Sequence, residues 1–592
     1  MRHNILYLIA VAASFVAYSA SAQNLDPTVE VSRDYEGKLL VVHKPILDMA
    51  VPDSVYKFDL DFDYSVTDTP YKGAYEFVPY SLNMNLDPKQ RDRGVLYFKA
   101  GAGYQLHPVV DLLWSPAFKG NLSLDVYGRN RSYLGNYWAM SSPDFSSDEV
   151  GIVDGDSEKD AWYGMDLSTS AGVTGRYDWQ NTMFLFGADY VNYLQSQDED
   201  VYGLRVRSFN SAGLNLGLAV KDPHSMGLDY KVGLQYRYSD DLTNDQTNGQ
   251  AGLQSHDLDF GLNVESVLTG GHNLKIDAMF RMTDESGAMD VTAGALEFAP
   301  RYVVKASRWL FDLGLKLSTV FKTDGESAMY QHKEQVIYPD LRAEFMVSPD
   351  FLKVYASLDG GSEMNTYSSL VRDNRRFNFY YGRGVWNILD VTEEKLAAEL
   401  GFEGRLTHRF GYTLKGGYKI YGNAPLQALY IPSAEIGYMP ALGYAPYQMA
   451  YASMDFLFDT ESLRVDGNLN FNGVTAVGET FSALAGFIFP APFEGNVEVM
   501  YDIKDRIYAG VDCEFATSRD GRAYRVTKSG NIRDYKVTVP GYADLGVNLE
   551  YRFNNRMSLW ARGGNLLGMK IQRELLYAEK GRYFTAGICL NL

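Results

Sequence analysis

The sequence has little of what several common protein classes depend on. It contains two cysteines in 592 residues, which excludes a framework of several disulfides. After Tyr18 no apolar run approaches the ~20 residues that a membrane-spanning helix requires. Basic residues number 55 against 74 acidic ones, for a net charge of -19. This balance argues against nucleic acid as a partner, because phosphates require a basic surface.

Motifs for catalysis and cofactor binding are missing as well. We find no G-x-S-x-G, no H-E-x-x-H, no C-x-x-C and no glycine-rich loop between a strand and a helix. The 8 histidines are scattered along the chain. We therefore expect no enzyme activity, no catalytic residues, no bound metal and no cofactor, although a catalytic set assembled from neighbouring strands would leave no spacing signal.

The N terminus has the features of a secretory signal. Arg2 provides a positive charge, Ile5 to Tyr18 an apolar core, and Ala20-Ser21-Ala22 a small-residue cleavage site. We predict a signal peptide over residues 1–22 and export from the cytoplasm.

The exported part is predicted to divide near residue 93. Residues 23–93 hold prolines that interrupt any long strand, which favours a periplasmic or lumenal segment. Ser54 to Val66 alternates well enough to be an additional strand of the main domain instead. Residues 94–592 are predicted to form that main domain.

The clearest positive signal is a two-residue period near the C terminus. From Ala543 to Phe553 the odd positions are apolar or aromatic and the even positions are polar or glycine. Asn554-Asn555 then predicts a tight turn, Met557 begins a second strand, and Phe584 to Leu592 forms a third. One apolar face and one polar face are typical of a strand with lipid on one side and water on the other.

Similar alternation runs through the main domain. About 24 such runs can be marked, against the 22 strands of plugged outer-membrane transporters. In Trp309 to Phe321 the predicted outward row begins with Trp309 and Phe311, and the opposite row includes Asp312 and Lys316. The clearest runs are Leu228 to Tyr238, Leu258 to Val264, Trp309 to Phe321, Leu396 to Leu406, Tyr412 to Ile420 and Leu463 to Phe471.

The predicted connections differ in length on the two sides of the sheet. Short turns are predicted at Asp178 to Asn181, Gly270-Gly271, Ala306-Ser307, Ser348 to Asp350, Thr407-His408, Lys504-Asp505 and Asn554-Asn555. Long polar loops are predicted at Leu134 to Ala161, Ser239 to Ser255, Gly361 to Glu394 and Thr517 to Pro540. This asymmetry is typical of outer-membrane barrels, with both termini on the short-turn, periplasmic side.

The two cysteines are predicted to remain free. Cys513 shares the apolar face of Val511 and Phe515, whereas Cys589 shares the polar face of Tyr583 and Thr585. Side chains on opposite faces of one wall cannot form a disulfide.

The last strands also resemble a known family. The run from Leu559 to Gly568 contains Asn565-Leu566-Leu567, and Gly581-Arg582-Tyr583-Phe584 opens the closing strand. Both resemble the terminal strands of TonB-dependent receptors, which implies a plugged outer-membrane barrel that takes up a bulky nutrient or metal chelate. The final residue is Leu592, where many such barrels end in an aromatic. Residues 24–93 are too short for the family's plug and match no TonB-binding motif, so the resemblance does not extend to a TonB partner.

These patterns predict an all-β fold. We expect a single transmembrane antiparallel β-barrel of about 22 strands (20 to 24), preceded by a short N-terminal segment. The 44 tyrosines and 31 phenylalanines fit aromatic belts at two membrane interfaces. A soluble sandwich also alternates, but one uninterrupted series of strands without a domain linker favours the barrel.

One predicted loop combines guanidinium groups with aromatic rings. Such a patch can bind an anionic sugar or a partner surface by bidentate hydrogen bonds and stacking. Arginines and tyrosines also collect in loops that face lipopolysaccharide without a dedicated role. The candidate recognition residues are Arg372, Arg375, Arg376, Arg383, Tyr380 and Tyr381.

Two functional hypotheses follow for a barrel in the outer membrane of a Gram-negative cell. The first is transport or uptake across that membrane. The second is a plug-less structural subunit that docks outer-membrane lipoproteins or other barrels. In both, the lipid bilayer and lipopolysaccharide are expected partners.

Overall fold

The computed structural model describes 26 strands and one helix within the residues that it covers. Those residues are 95–139, 149–151, 161–196, 206–222, 227–245, 249–267, 270–287, 290–325, 329–330, 335–348, 351–375, 377, 389–431, 439–476, 487–526, 532–573 and 578–592. The predicted signal peptide and N-terminal segment (residues 1–93) lie outside them and stay predictions.

The strands follow one another with a single helical interruption, α1 (Tyr367–Asp373). In chain order they are β1 (Leu96–Gly103), β2 (Val109–Trp114), β3 (Leu122–Trp138), β4 (Glu149–Gly151), β5 (Ala161–Trp179), β6 (Thr182–Ser196), β7 (Val206–Val220), β8 (Leu228–Asp245), β9 (Gly249–Val267), β10 (His272–Gly287), β11 (Val291–Ala306), β12 (Trp309–Gly325), β13 (Val336–Ser348), β14 (Leu352–Met364), β15 (Val391–Thr407), β16 (Phe410–Ile431), β17 (Met439–Asp459), β18 (Leu463–Ala476), β19 (Phe487–Ile488), β20 (Phe493–Ile503), β21 (Ile507–Ala516), β22 (Arg519–Val526), β23 (Ile532–Val539), β24 (Tyr542–Asn554), β25 (Met557–Gly564) and β26 (Tyr583–Asn591). No helix in the described residues is both long and apolar enough to cross a membrane.

Twenty-two of these strands form a closed antiparallel barrel, which confirms the predicted fold. The wall contains every strand except β4, β19, β22 and β23. Closure occurs between β1 and β26, where the Leu96 N–H donates to the Leu592 carbonyl at 2.9 Å and the Leu592 N–H donates back at 2.8 Å. The sequence pattern contains about 24 alternating runs, so about two of them are not strands of the wall.

The wall is inverted relative to a soluble protein, with apolar side chains outside and charged ones inside. On β12, Leu313 and Leu315 are 49% and 42% exposed. Lys316 belongs to the same strand but to its inner face, and it is only 5% exposed. The predicted outward row of this strand is therefore confirmed. An interior of this kind has to be satisfied by hydrogen bonds and ion pairs instead of apolar packing.

The connections alternate between short turns and longer loops, as predicted, which defines a turn end and a loop end of the barrel. One loop prediction is wrong. In the stretch Ser239 to Ser255, β8 continues to Asp245 and pairs with β9, which starts at Gly249. Strand pairing continues here beyond the apolar band, where polar outward residues such as Asp240 and Gln254 remove the alternation but not the backbone ladder.

Four short strands form additional sheet structure in the loops. The β22–β23 hairpin lies within the predicted loop Thr517 to Pro540. β22 runs parallel to the end of β16, and β23 runs parallel to β4, which belongs to the connection between β3 and β5. The hairpin thus links loops from separate sectors of the wall.

Both cysteines are free, as predicted. Cys513 lies opposite the outward-facing Leu545 on β24, and Cys589 lies opposite the buried Lys99 on β1. The two thiols are on opposite faces of the wall.

The position of Cys589 allows a direct test of closure. Lys99→Cys places a second thiol opposite Cys589 across the β1–β26 seam, at a cross-strand spacing close to that of a disulfide. We expect oxidation to link the first and last strands, which peptide mapping under non-reducing conditions would detect. Ala100→Cys, whose side chain points outward, is the control and should remain reduced. A seam that is open in solution would leave both variants unlinked.

Candidate functional site

Paired charges line the bore, which is the interior of the barrel. Arg281 binds Asp259 at 2.9 Å, and Lys316 on β12 reaches across β13 to Asp359 on β14 at 2.6 Å. Pairs of this kind neutralise charges that the wall shields from bulk water. They make the bore a polar surface on which solutes could exchange hydrogen bonds.

One of these pairs depends on a glycine. Arg237 on β8 binds Asp189 on β6 at 2.9 Å, and the pair passes over Gly213 of the intervening β7. A Cβ atom at Gly213 would lie 2.5 Å from the Asp189 carboxylate and 2.7 Å from the guanidinium. The absence of a side chain at this position is therefore what allows the two charges to meet.

A segment of the connection between β14 and β15 lies inside the bore. This segment, residues 365–375, contains α1 and is called the α1 segment below. Thr366 caps the helix: its side chain accepts the Ser369 N–H, while the Ser369 hydroxyl accepts the Thr366 N–H. After two turns Asn374 ends the helix with an N–H to the Leu370 carbonyl. Local sequence thus explains the helix but not where it lies.

Apolar contacts hold one side of the α1 segment against the barrel wall. Tyr367, Leu370 and Val371 are buried in a cluster with Phe209 of β7 and Val291 of β11. Phe209 is 0% exposed, and the bore lining around it is apolar instead of charged. The segment therefore has a specific apolar seat.

A buried ion pair forms the first polar anchor of the α1 segment. The guanidinium of Arg207 binds the Asp241 carboxylate at 2.5 Å, and both side chains are 3% exposed. The Tyr367 hydroxyl also donates to Asp241, and Arg207 donates to the Arg375 carbonyl at 2.8 Å. The pair on β7 and β8 therefore binds both ends of α1.

Two carboxylates form the second anchor. Asp257 accepts from the Thr366 hydroxyl at 3.2 Å and from the Ser368 hydroxyl. Glu285 accepts the backbone N–H of Tyr367 at 3.2 Å. Both carboxylates are buried, at 6% and 2% exposed, so the helix start is tied directly to the walls of β9 and β10.

The flanks of the α1 segment are fixed as well. Arg281 donates to the Met364 carbonyl at 3.0 Å, and Tyr330 donates to the Asn365 carbonyl at 2.6 Å. Asn365 in turn donates to the Asp390 carbonyl at 2.9 Å. Full burial raises the pKa of Tyr330 well above its ordinary value, so this phenol remains a hydrogen-bond donor.

Two of the predicted recognition residues lie at the end of α1. Arg372 is exposed in the last helical turn. Arg375 points to the bore wall, with its guanidinium 5.7 Å from the centre of the Tyr193 ring and 3.7 Å from the Asp166 carboxylate. The remaining four, Arg376, Tyr380, Tyr381 and Arg383, lie outside the described residues. A shared recognition patch stays a prediction.

The motif near the C terminus has a structural role in the last loop. The Asn565 side chain donates to the Met569 carbonyl at 2.9 Å and to the Lys580 carbonyl at 3.3 Å. Its backbone has a positive φ of 45°, which asparagine tolerates better than most residues. Arg573 in the same loop binds Glu514 at 2.9 Å and Asp544 at 3.0 Å. These contacts fold the loop between β25 and β26 back onto the wall.

Sequence reasoning missed the anchoring residues of the α1 segment. Asp241 falls in the stretch assigned to a loop, and Asp257 and Glu285 are unremarkable members of polar rows. The available signal was the continuation of inward polar residues from Arg237 through Ser239 to Asp241. Among the described residues, no group of three or more His, Cys, Asp or Glu side chains is placed to hold a metal ion.

Removal of one charge from the first anchor should release the α1 segment. Asp241→Asn leaves the Arg207 guanidinium buried without a carboxylate, which typically costs about 3–5 kcal/mol. We expect faster tryptic cleavage after Arg372 and Arg375 in the folded protein. Asp240→Asn, the outward neighbour on the same strand, is the control. Equal protection of both variants would show that the pair does not hold the segment.

The comparisons with known proteins concern the fold. No family model matches the sequence, and no curated protein matches it. The siderophore receptor PirA from Acinetobacter baumannii is similar at 11% identity and a TM-score of 0.59, with 84% of this chain and 80% of that chain covered. The FrpB iron transporter from Neisseria meningitidis is similar at 10% identity and a TM-score of 0.60, over 85% and 82% of the two chains. The copper transporter OprC is similar at 12% identity and a TM-score of 0.58, over 84% and 82%. The 22-stranded barrel of this chain is therefore structurally similar to the TonB-dependent receptors.

Proposed function

We propose that this protein is an outer-membrane barrel that passes a polar solute through its bore, with the α1 segment as a constriction. The observation that carries the proposal is the charged, hydrogen-bonding bore of a 22-stranded wall, with a folded segment held against its inner face near the loop end. Such a bore offers a water-like path through an apolar slab, and an inward-folded segment limits what passes. The proposal gives the bore no catalytic role.

The outer surface supports a membrane location. Large apolar side chains such as Leu296 on β11, Leu315 on β12 and Leu549 on β24 are exposed, at 46%, 42% and 48%. Exposed apolar area on this scale is unstable in water and stable in hydrocarbon. Placed in the outer membrane of a Gram-negative cell, the turn end and both chain ends would face the periplasm.

The similar solved structures also support transport. They are a siderophore receptor, an iron transporter and a copper transporter. At 10% to 12% identity, this similarity does not identify a substrate for this chain. The proposal is therefore limited to uptake or passage of a polar solute.

A second function, as a structural subunit that docks other membrane proteins, is favoured by the loop strands. β22, β23 and β4 join loops from separate sectors of the wall into a small sheet. A sheet of this kind provides a firm surface for a lipoprotein or another barrel.

Conductance in planar bilayers separates the two functions. Replacement of residues 366–374 by a glycine-serine linker removes the constriction and should increase the single-channel conductance of the full-length protein several-fold. Asp241→Asn should act in the same direction. A barrel that stays sealed in both variants, and that purifies with a stoichiometric protein partner, would favour the docking function instead.

Lipid contact is tested on β12. Leu315→Arg places a charge in the middle of the apolar band, which typically costs about 2–4 kcal/mol in a transmembrane barrel. Thr323→Arg, at an exposed position of the same strand beyond the band, is expected to cost about 0–1 kcal/mol. Urea unfolding in lipid vesicles measures both. Equal costs would argue against a bilayer around the barrel.

A further inference from the structure

The second anchor of the α1 segment contains more short oxygen–oxygen contacts than there are hydroxyl hydrogens to fill them. The Ser255 hydroxyl lies 3.2 Å from Oδ1 of Asp257 and 3.0 Å from Oε1 of Glu285. The Thr283 hydroxyl lies 2.7 Å and 3.0 Å from the same two oxygens. Each hydroxyl carries one hydrogen, and an ionised carboxylate carries none. Two hydrogens therefore serve four short contacts, and two of these contacts would be repulsive if both acids were ionised.

The remaining carboxylate oxygens differ from each other. Oδ2 of Asp257 accepts from the Thr366 and Ser368 hydroxyls of the α1 segment. Oε2 of Glu285 is buried and has no hydrogen-bond partner in the described part of the chain. A buried anionic oxygen without a donor is costly, whereas a carboxylic acid tolerates this position. One further hydrogen on the pair leaves only one of the four contacts without a hydrogen, and it makes the unpartnered carboxyl group neutral.

The surrounding charges do not neutralise the two acids. Arg207 is bound to Asp241, and Arg281 is bound to Asp259 and Glu363. Arg237, which lies opposite Asp257 on β8, is bound to Asp189. The charged and titratable groups on the elements packed around the pair are Arg207, Arg237, Arg281, Arg372, Asp241, Asp259, Glu363, Asp373, Asp390, Tyr330, Tyr367 and Tyr444.

We propose that Asp257 and Glu285 share one proton, and that this proton holds the α1 segment in the bore as a pH-dependent latch. Loss of the proton places two negative charges side by side beneath the start of α1. Their repulsion is relieved when the segment leaves and water enters. The latch is argued from the contacts alone. Its consequence, that docking of the segment controls passage through the bore, rests on the proposed function.

The latch lies beyond the apolar band of the wall. The outward residues at its level, Asp284 on β10 and His256 on β9, are polar and exposed. Burial, and then the charge of Asp257, raise the pKa of Glu285 from 4.5 to about 8. A raised pKa means that the docked state holds the proton more tightly than the released state. Docking is therefore strongest below the ordinary carboxyl pKa and weakens as pH rises towards 8, by up to tenfold per pH unit for one proton.

Hydrogen–deuterium exchange of the full-length protein tests the latch without any measurement of transport. We expect protection of the backbone amides of the α1 segment, after correction for intrinsic exchange, to fall up to tenfold per pH unit between pH 5 and 8. Glu285→Gln keeps the shape but cannot ionise, so its protection should be independent of pH. Asp284→Asn, the outward neighbour, should retain the wild-type profile. Asp257→Asn serves as a second neutral variant.

Several results would overturn the proposal. The first is a wild-type profile that is flat across this pH range, a result that requires no variant to fold. Another is a Glu285→Gln protein that retains the full pH dependence. Restoration of protection at pH 8 or above by added Ca²⁺ would show that a cation, and not a proton, neutralises the pair. If the conductance test found a closed bore, the exchange result would still stand, because hydrogen exchange measures docking of the α1 segment and not passage through the bore.

Discussion

The backbone hydrogen bonds between the first and last strands are the contacts on which the rest of the structure depends. Leu96 and Leu592 exchange N–H donors and carbonyl acceptors and so join β1 to β26. Without this seam, two strand edges would expose unpaired polar groups, and each such group costs several kcal/mol in hydrocarbon. Closure pairs the backbone polar groups of these two edge strands, and it also separates the outside of the barrel from its inside.

That separation determines the chemistry of each face. Because the outer face is apolar, the charged side chains of this acidic chain gather in the bore and the loops. Inside the bore they need partners, and pairs such as Arg237 with Asp189 supply them across neighbouring strands. The α1 segment uses the same principle, since Arg207 and Asp241 form an ion pair that also binds its two ends. A segment held by buried charges stays docked only while those charges are balanced, which is the basis of the proton proposed on Asp257 and Glu285.

The resemblance at the C terminus reflects construction of the wall. Asn565 and Arg573 hold the last loop against β21 and β24, and they make no contact with the α1 segment in the described residues. Their contacts serve closure of the barrel by its final two strands. Similarity at these positions therefore reports the fold and not the function.

The sequence by itself determined the barrel, the face of each clear strand and the separation of the two cysteines. These features follow from a two-residue period, which can be read from a short stretch of sequence. The period is strong wherever one face of a strand has apolar surroundings and the other face has polar ones. The hairpin at Ser239 to Ser255 escaped this reasoning, because backbone pairing persists where both faces are polar. Only the tertiary structure placed the α1 segment, since its contacts join residues far apart in the chain, as Thr366 and Asp257 are, 109 positions from each other. A short period can predict which way a side chain points, but closure of the ring decides which distant side chains meet inside it.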